Sequence, residues 1–231
     1  MNQDHRQRFF IKDSPVRGDA VRLSRSYATI IAQKDYPEAI KQLLGEMLVS
    51  ASLLIGTLKI EGRLSIQLQS SDDNSNDGSS DSGLLKWAMA ECDHEGNLRA
   101  LADWKQDTPA QQQAWTQMTT ANEAFKQLGE LNKGVMFINI QPLENGHKSG
   151  QAYQGIVERS HDNLADCLAH YQKQSAQIPT IIKLACDGLQ AGGLLVQLLP
   201  LSQEEQMIEE QAKNAGDDDL WTRLSVLTNT I

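Results

Sequence analysis

The order of hydrophobic patterns along the chain predicts an α+β fold, with antiparallel β-sheets packed with helices, including a long central amphipathic helix. Three observations carry this. From Pro37 to Lys59, Ile40, Leu43, Leu44, Met47, Leu48, Ala51, Leu54, Ile55 and Leu58 recur at the three-and-four spacing of a helix face. Leu64, Ile66 and Leu68 then alternate with polar residues, the period-two pattern of a half-buried strand. Strand-like and helix-like stretches are grouped more than strictly alternated, which separates α+β from doubly wound folds.

In chain order, Arg8 to Ile11 and Val16 to Leu23 read as short strands around a turn at Ser14-Pro15. Ser24 stands where it can cap a short helix carrying Tyr27, Ile30 and Ile31. Pro37 fits the first turn of the long helix, where a missing amide loses no bond. Burying each larger side chain of that stripe contributes roughly 1.5–3 kcal/mol before entropy is charged against it, so this is a core helix. Leu84 to Glu91 and Asn97 to Ala102 form a predicted hairpin around Asp93-His94-Glu95-Gly96. Further strands are expected at Val135 to Ile140, Tyr153 to Val157, Thr180 to Cys186 and Leu194 to Leu199. Between them, Asn163 to Ser175 reads as a helix with Asp162 as its cap and Leu164, Cys167, Leu168 and Tyr171 on one face. Weaker helical patterns cover Gln203 to Lys213 and Asp218 to Ile231.

Two stretches look like insertions. Ser70 to Gly83 contains only Ser, Asp, Asn and Gly, the composition of a mobile loop. Thr108 to Gly129 is rich in Gln, Ala and Thr and reads as a surface helix or a loose excursion between strands. The predicted division is a core domain over 1–200 followed by a C-terminal helical segment over 201–231.

With 231 residues and 40% hydrophobic content the chain can bury a sizeable core, and 5% aromatics means a core of Leu, Ile, Val and Ala. The formal charge of −9 disfavours nucleic acid and anionic membranes as partners, since both call for a basic field. Met1 to Lys12 has no apolar signal core, and no stretch reads as a bilayer span. Cys92, Cys167 and Cys186 are an odd number at wide spacing, which fits a reducing compartment; the expected location is the cytoplasm.

Chemical motifs are few. Asp73, Ser75, Asp77 and Gly78 imitate the start of a calcium loop, but the twelfth position is Leu84 where a bidentate Glu is needed. Cys92 with His94, or Cys167 with His170, could supply two metal ligands, short of the three or four that tetrahedral zinc requires. Cys186 shares a predicted strand face with Ile182 and Leu184, as a buried small hydrophobe would. Arg17-Gly18-Asp19 reads as a strand-edge turn, and Gly192-Gly193 as a turn between strands. There is no GxSxG and no HExxH, since His94-Glu95 is followed by Gly-Asn-Leu. An enzyme could still be built on a thiol, with Cys92 or Cys167 as nucleophile and His94 or His170 as base; it would require a depressed thiol pKa in a cleft. Composition and spacing alone point to no catalytic centre.

Several segments resemble one family in order and spacing. Asp35-Tyr36-Pro37 through Leu58-Lys59, then Gly62 and Gln67-Leu68-Gln69, are similar to its long helix and following strand. Tyr153-Gln154-Gly155-Ile156-Val157, the helix from Leu164 to its exit at Gln177-Ile178-Pro179-Thr180, and Ala191-Gly192-Gly193-Leu194 through Leu199-Pro200 follow, while Arg17-Gly18 matches an early turn. Over Val16 to Pro200 the chain thus resembles the substrate-binding domain of the bacterial 33-kDa chaperonins, redox-regulated heat-shock holdases. The resemblance implies an ATP-independent chaperone for unfolded or misfolded clients under oxidative and heat stress. In that family zinc sits in a C-terminal module with four cysteines; no cysteine here aligns with those ligands, so no cofactor is expected in this chain. The ending at Leu227-Thr228-Asn229-Thr230-Ile231 resembles the stretch that enters the family's linker and reads as a truncation. Leu220, Leu224, Leu227 and Ile231, with Trp221 beside them, form an apolar helical stripe after Asp217-Asp218-Asp219 and are the expected contacts of a homodimer.

Overall fold

The computed structural model describes residues 3–70, 83–129, 134–144, 147–148, 150–200 and 220–228. Its elements are β1 (His5–Phe10), β2 (Val16–Leu23), α1 (Arg25–Ile31), α2 (Glu38–Thr57), β3 (Gly62–Gln69), β4 (Leu85–Asp93) and β5 (Leu98–Trp104). They continue with α3 (Pro109–Gln117), α4 (Ala121–Lys126), β6 (Val135–Glu144), β7 (His147–Lys148), β8 (Tyr153–Glu158) and α5 (Leu164–Tyr171). A π-helical turn (Gln172–Ala176), β9 (Thr180–Cys186), β10 (Ala191–Leu198) and α6 (Leu220–Thr228) complete the described chain.

The strands form two antiparallel sheets. One has the order β1-β2-β10-β9; the other runs β5-β4-β3-β6, with β8 and β7 pairing successive parts of β6. The α+β expectation holds. Helix α2 lies between the sheets, against β3, β4 and β5 on one side and β2, β9 and β10 on the other. Its apolar surface therefore extends beyond the predicted stripe, and Val49, Leu53 and even Ser50 and Ser52 are buried. A helix buried on all sides is what two sheets on opposite faces demand. Contrary to the composition reading, α2 is long and apolar enough to cross a bilayer, with 20 residues and a mean hydropathy of 1.4, but 78% of that window is buried inside the domain.

Several local readings change. Ser24 makes no side-chain cap bond to α1; the Asp4 carboxylate does the work, accepting from the backbone N–H groups of Ser24, Arg25 and Ser26 at 2.7, 3.0 and 3.0 Å. The cap of α5 is Asn163, whose side chain accepts from Asp166 N at 2.8 Å. Asp162, the predicted cap, instead faces Lys126 at 3.9 Å. The 108–129 stretch carries two helices, of which α3 is a mostly exposed surface helix, as one of the two readings had it, while the loose-excursion reading falls. Capping boxes at Thr108/Gln111 and Thr120/Glu123 start α3 and α4, which bury Trp115, Ala121, Ala124 and Phe125. Residues 71–82 of the polar loop and the 203–213 helical pattern lie outside the described residues.

Both glycine turns prove to be strand. Gly18 sits inside β2 directly beneath the Phe9 ring, which fills the space a Cβ would take. Gly193 lies inside β10, where a Cβ would stand 2.6 Å from Val49 Cγ1 and 2.8 Å from Lys183 O. These glycines allow close packing rather than chain reversal. The reversal before β10 falls at Asp187–Gln190 instead, where Asp187 accepts from Leu189 N and Gln190 N at 2.9 and 2.8 Å.

Candidate functional site

The cysteines belong to the packing. Cys92 is fully buried on β4, and its Sγ is 3.4 Å from Asp93 O. Burial pushes its thiol up to about 11, with Asp93 and Glu91 adding to the rise and Arg6 and Ser52 opposing it. His94 does not serve it: its Nδ1 faces Gly62 O at 3.3 Å. Cys167 is buried on α5 with Sγ 3.5 Å from His161 O, and burial raises its thiol too. The ring of His170 leans on that of His161, centroids 5.5 Å apart. Cys186 is half-buried, less than its predicted strand face implied, and again burial pushes the thiol up. A thiol nucleophile needs the opposite displacement. Among the described residues, no group of three or more His, Cys, Asp or Glu side chains is placed to hold a metal ion.

The feature that sequence reasoning missed is the outer face of the larger sheet. In β3, Leu64, Ile66 and Leu68 turn inward and are buried, so Ser65, Gln67 and Gln69 point outward. The register then places Leu101, Met89, Gln67, Phe137 and Ile156 in one row across β5, β4, β3, β6 and β8. A second row runs Asp103, Trp87, Gln69, Val135 and Glu158. Ile156 is 71% exposed and Leu101 45%, while Trp87, Met89 and Phe137 are half-buried. Trp87, Met89 and Leu101 together with Gln67 and Gln69 line a shallow depression of about 260 Å³.

Charged pairs flank this apolar band. On one side Glu91 is gripped by Arg63 at 3.0 Å and Arg99 at 2.9 Å; on the other, Lys86 meets Asp103 at 3.2 Å. An exposed apolar band with polar margins is the signature of a surface that meets another chain. One signal was available in the sequence: Leu85 to Ala90 carries apolar side chains on both faces of its strand, more than a sheet with one buried face requires.

The C-terminal stripe is only partly described. Helix α6 lies against β9, with Thr228 buried and Trp221 and Leu224 half-buried. Leu227 is 60% exposed, as is Val226. Leu220 opens the helix, its side chain and Ile231 lying outside the described residues.

The protein is, in class, a two-sheet α+β domain wrapped on a buried helix, with a partly exposed apolar row on the outer face of its larger sheet and thiols whose acidity is lowered by burial. The chain belongs to the Hsp33 protein family, whose sequence profile matches residues 4–225. It is 36% identical over 230 residues to the 33 kDa chaperonin of Pseudomonas paraeruginosa, covering 100% of this chain and 66% of that one. The 33 kDa chaperonin of Shewanella frigidimarina is 35% identical over 231 residues, with the same two coverages of 100% and 66%. The chain thus spans 66% of the length of these relatives. The crystal structure of the 33 kDa chaperonin (heat shock protein 33 homolog) of Thermotoga maritima shares the fold, at a TM-score of 0.60 and 22% identity, over 90% of this chain and 66% of that one.

Proposed function

We propose that this chain is the client-binding part of an ATP-independent holdase chaperone, which meets unfolding proteins through the apolar outer face of its larger sheet. The observation that carries the reading is the row of Leu101, Met89, Phe137 and Ile156, aligned across separate strands and left partly open to water. An extended segment of an unfolded protein buries apolar side chains there in place of its own lost core. Nothing about this requires a reaction centre or a nucleotide, and a formal charge of −9 keeps chain and client dispersed once they are joined. On this reading the protein works in the cytoplasm under heat and oxidative stress and uses neither nucleic acid nor membrane. Redox control would come from the family's zinc module, with no metal held by the residues described here.

Light scattering from a chemically unfolded client tests it. Stoichiometric chain should suppress scattering without ATP, and Met89→Lys with Ile156→Lys should abolish most of the effect while circular dichroism stays native. Both positions face outward, so the fold tolerates them. A double variant as protective as wild type removes the sheet face from the account, and a wild-type chain without effect removes holdase activity from these residues.

A further inference from the structure

Between the open ends of the two sheets, beyond the C-terminal turn of α2, lies a cavity of about 420 Å³. That volume is within the range of small-molecule sites. Much of its wall is aliphatic, Leu54 and Leu58 from α2, Leu64 from β3, Ile138 and Ile140 from β6, with Thr57, Gln172 and Gln197 as polar members. The π-helical turn after α5 roofs it and brings Ser175 and Ala176 to the mouth, where both are exposed. Tyr153 Oη stands 3.1 Å from Tyr171 Oη and 3.5 Å from Ser175 Oγ, a hydroxyl cluster at the entrance.

Arg17 also lines the cavity. It points inward from β2 in the same register position as Gln197 and Thr180. Its Nη2 donates to Gln197 Oε1, and Gln197 in turn donates to Thr180 Oγ1 at 3.3 Å. Its Nε is buried and has no hydrogen-bond acceptor among the described residues. Asp19, on the same face of β2, is occupied by Arg8 at 3.1 Å, and Arg17 forms no ion pair among the described residues. Burial first, and Arg8 second, act against its charge, with Asp19 only partly offsetting them. A permanently charged guanidinium with no ion pair among the described residues, on the wall of a largely aliphatic chamber, is complementary to an anion that carries an aliphatic tail.

We infer that this cavity binds a medium-chain aliphatic monocarboxylate, its carboxylate accepting from Arg17 and its tail lying along Leu54, Leu58 and Ile138. A peptide ending in a free carboxylate shares the head-group chemistry. The stretch of wall formed by Leu54, Leu58, Leu64, Ile138 and Ile140 is aliphatic, however, and would leave peptide amides lying along it without partners, at a penalty for each one buried. The inference stands apart from the client surface, which lies on the opposite face of the same sheet.

Titration calorimetry on the full chain decides it, with sodium decanoate below its aggregation concentration as probe and decanol and acetyl-trileucine as controls. Decanoate should bind saturably at one per chain. Decanol should bind at least tenfold more weakly, and acetyl-trileucine no better than decanol. Arg17→Met keeps the length and removes the charge, and should weaken decanoate at least tenfold while leaving decanol unchanged. Ala176→Trp, at an exposed position, should block the mouth with Arg17 intact, and decides the matter if Arg17→Met does not fold. Equal binding of decanoate and decanol, no loss in Ala176→Trp, or tighter binding of the peptide would each overturn the assignment.

Discussion

Replacing Glu46 by Gln should stabilise the protein, and by an amount that grows with pH. Glu46 stands on α2, between the sheets, and no described residue gives it an ion pair or a side-chain hydrogen bond. Burial alone pushes its carboxyl up to about 7 from 4.5. The folded state therefore holds the proton more tightly than the unfolded chain. Its contribution to stability is complete below about pH 4.5, declines through the window from about 4.5 to 7, and is flat above it. At about 1.36 kcal/mol per pKa unit the ceiling on this loss is about 3 kcal/mol. The carboxyl keeps some access to water, which trims the expectation to about 2 kcal/mol. Its neighbours Cys186 and Tyr27 do not titrate in the window, since burial raises both above their ordinary values. Urea unfolding of wild type and Glu46→Gln at pH 4.5, 6, 7 and 8 should show midpoints that nearly coincide at the acid end and separate by about 1 M at pH 8, for a slope near 2 kcal/mol/M. A separation that is the same at every pH would refute the argument, because it would mean that the amide changes packing and that ionisation is not the cause.

Three further outcomes are expected. Asp4→Ala should destabilise the fold by about 1 kcal/mol through loss of the α1 cap; burial alone would raise this carboxyl, but the bonds from Ser26, Ser24 and Arg25 outweigh it and hold it below its ordinary value, so the stabilisation is present at neutral pH and fades as acid is added, and chemical denaturation at pH 7 and 3 checks both. All three native thiols should react slowly with a disulfide reagent at pH 8, and elemental analysis should find no stoichiometric zinc; a single fast cysteine would reinstate the thiol-enzyme reading, and one zinc per chain would require a site outside the described residues. If α6 contributes to a homodimer, Leu224→Glu with Leu227→Glu should weaken association in sedimentation velocity; a folded double variant with an unchanged monomer–dimer constant would remove the proposal and leave the half-buried Leu224 as packing against the chain's own sheet.

What the sequence made legible was what depends on neighbours in the chain. The period of α2, the alternation in β3 and the hairpin of β4 and β5 are local patterns, and each was found close to its observed bounds. Apart from the one-residue shift of the α5 cap from Asp162 to Asn163, which is local, the errors share one physical cause. Gly18 and Gly193 are glycines because Phe9, Val49 and Lys183 approach them from other elements. Asp4 caps a helix that begins some twenty residues later, and α4 looked peripheral because its burial comes from packing on α2, far back along the chain. A residue type can announce a turn or a cap, but a tertiary partner can take over the same residue.

The candidate client face follows the same logic to its end. Leu101, Met89, Phe137 and Ile156 come from four strands, and each is a single apolar residue among polar neighbours or on the less buried side of its strand. No window of sequence contains the band; only the register of five strands assembles it. The architecture also explains why such a face is left over. A single helix placed between two sheets uses the inner face of each, so each outer face must find another cover or remain open. The smaller sheet has α6 lying against its β9 edge. On the larger one, the charged pairs of Glu91 and Asp103 border the apolar band without crossing it, and Ile156 remains 71% exposed. For a domain that had only to be stable, polar residues along that row would serve at least as well, because they would add solubility and forfeit no core contact. The apolar side chains that stand on either side of Gln67 in that row are what the proposed client face rests on.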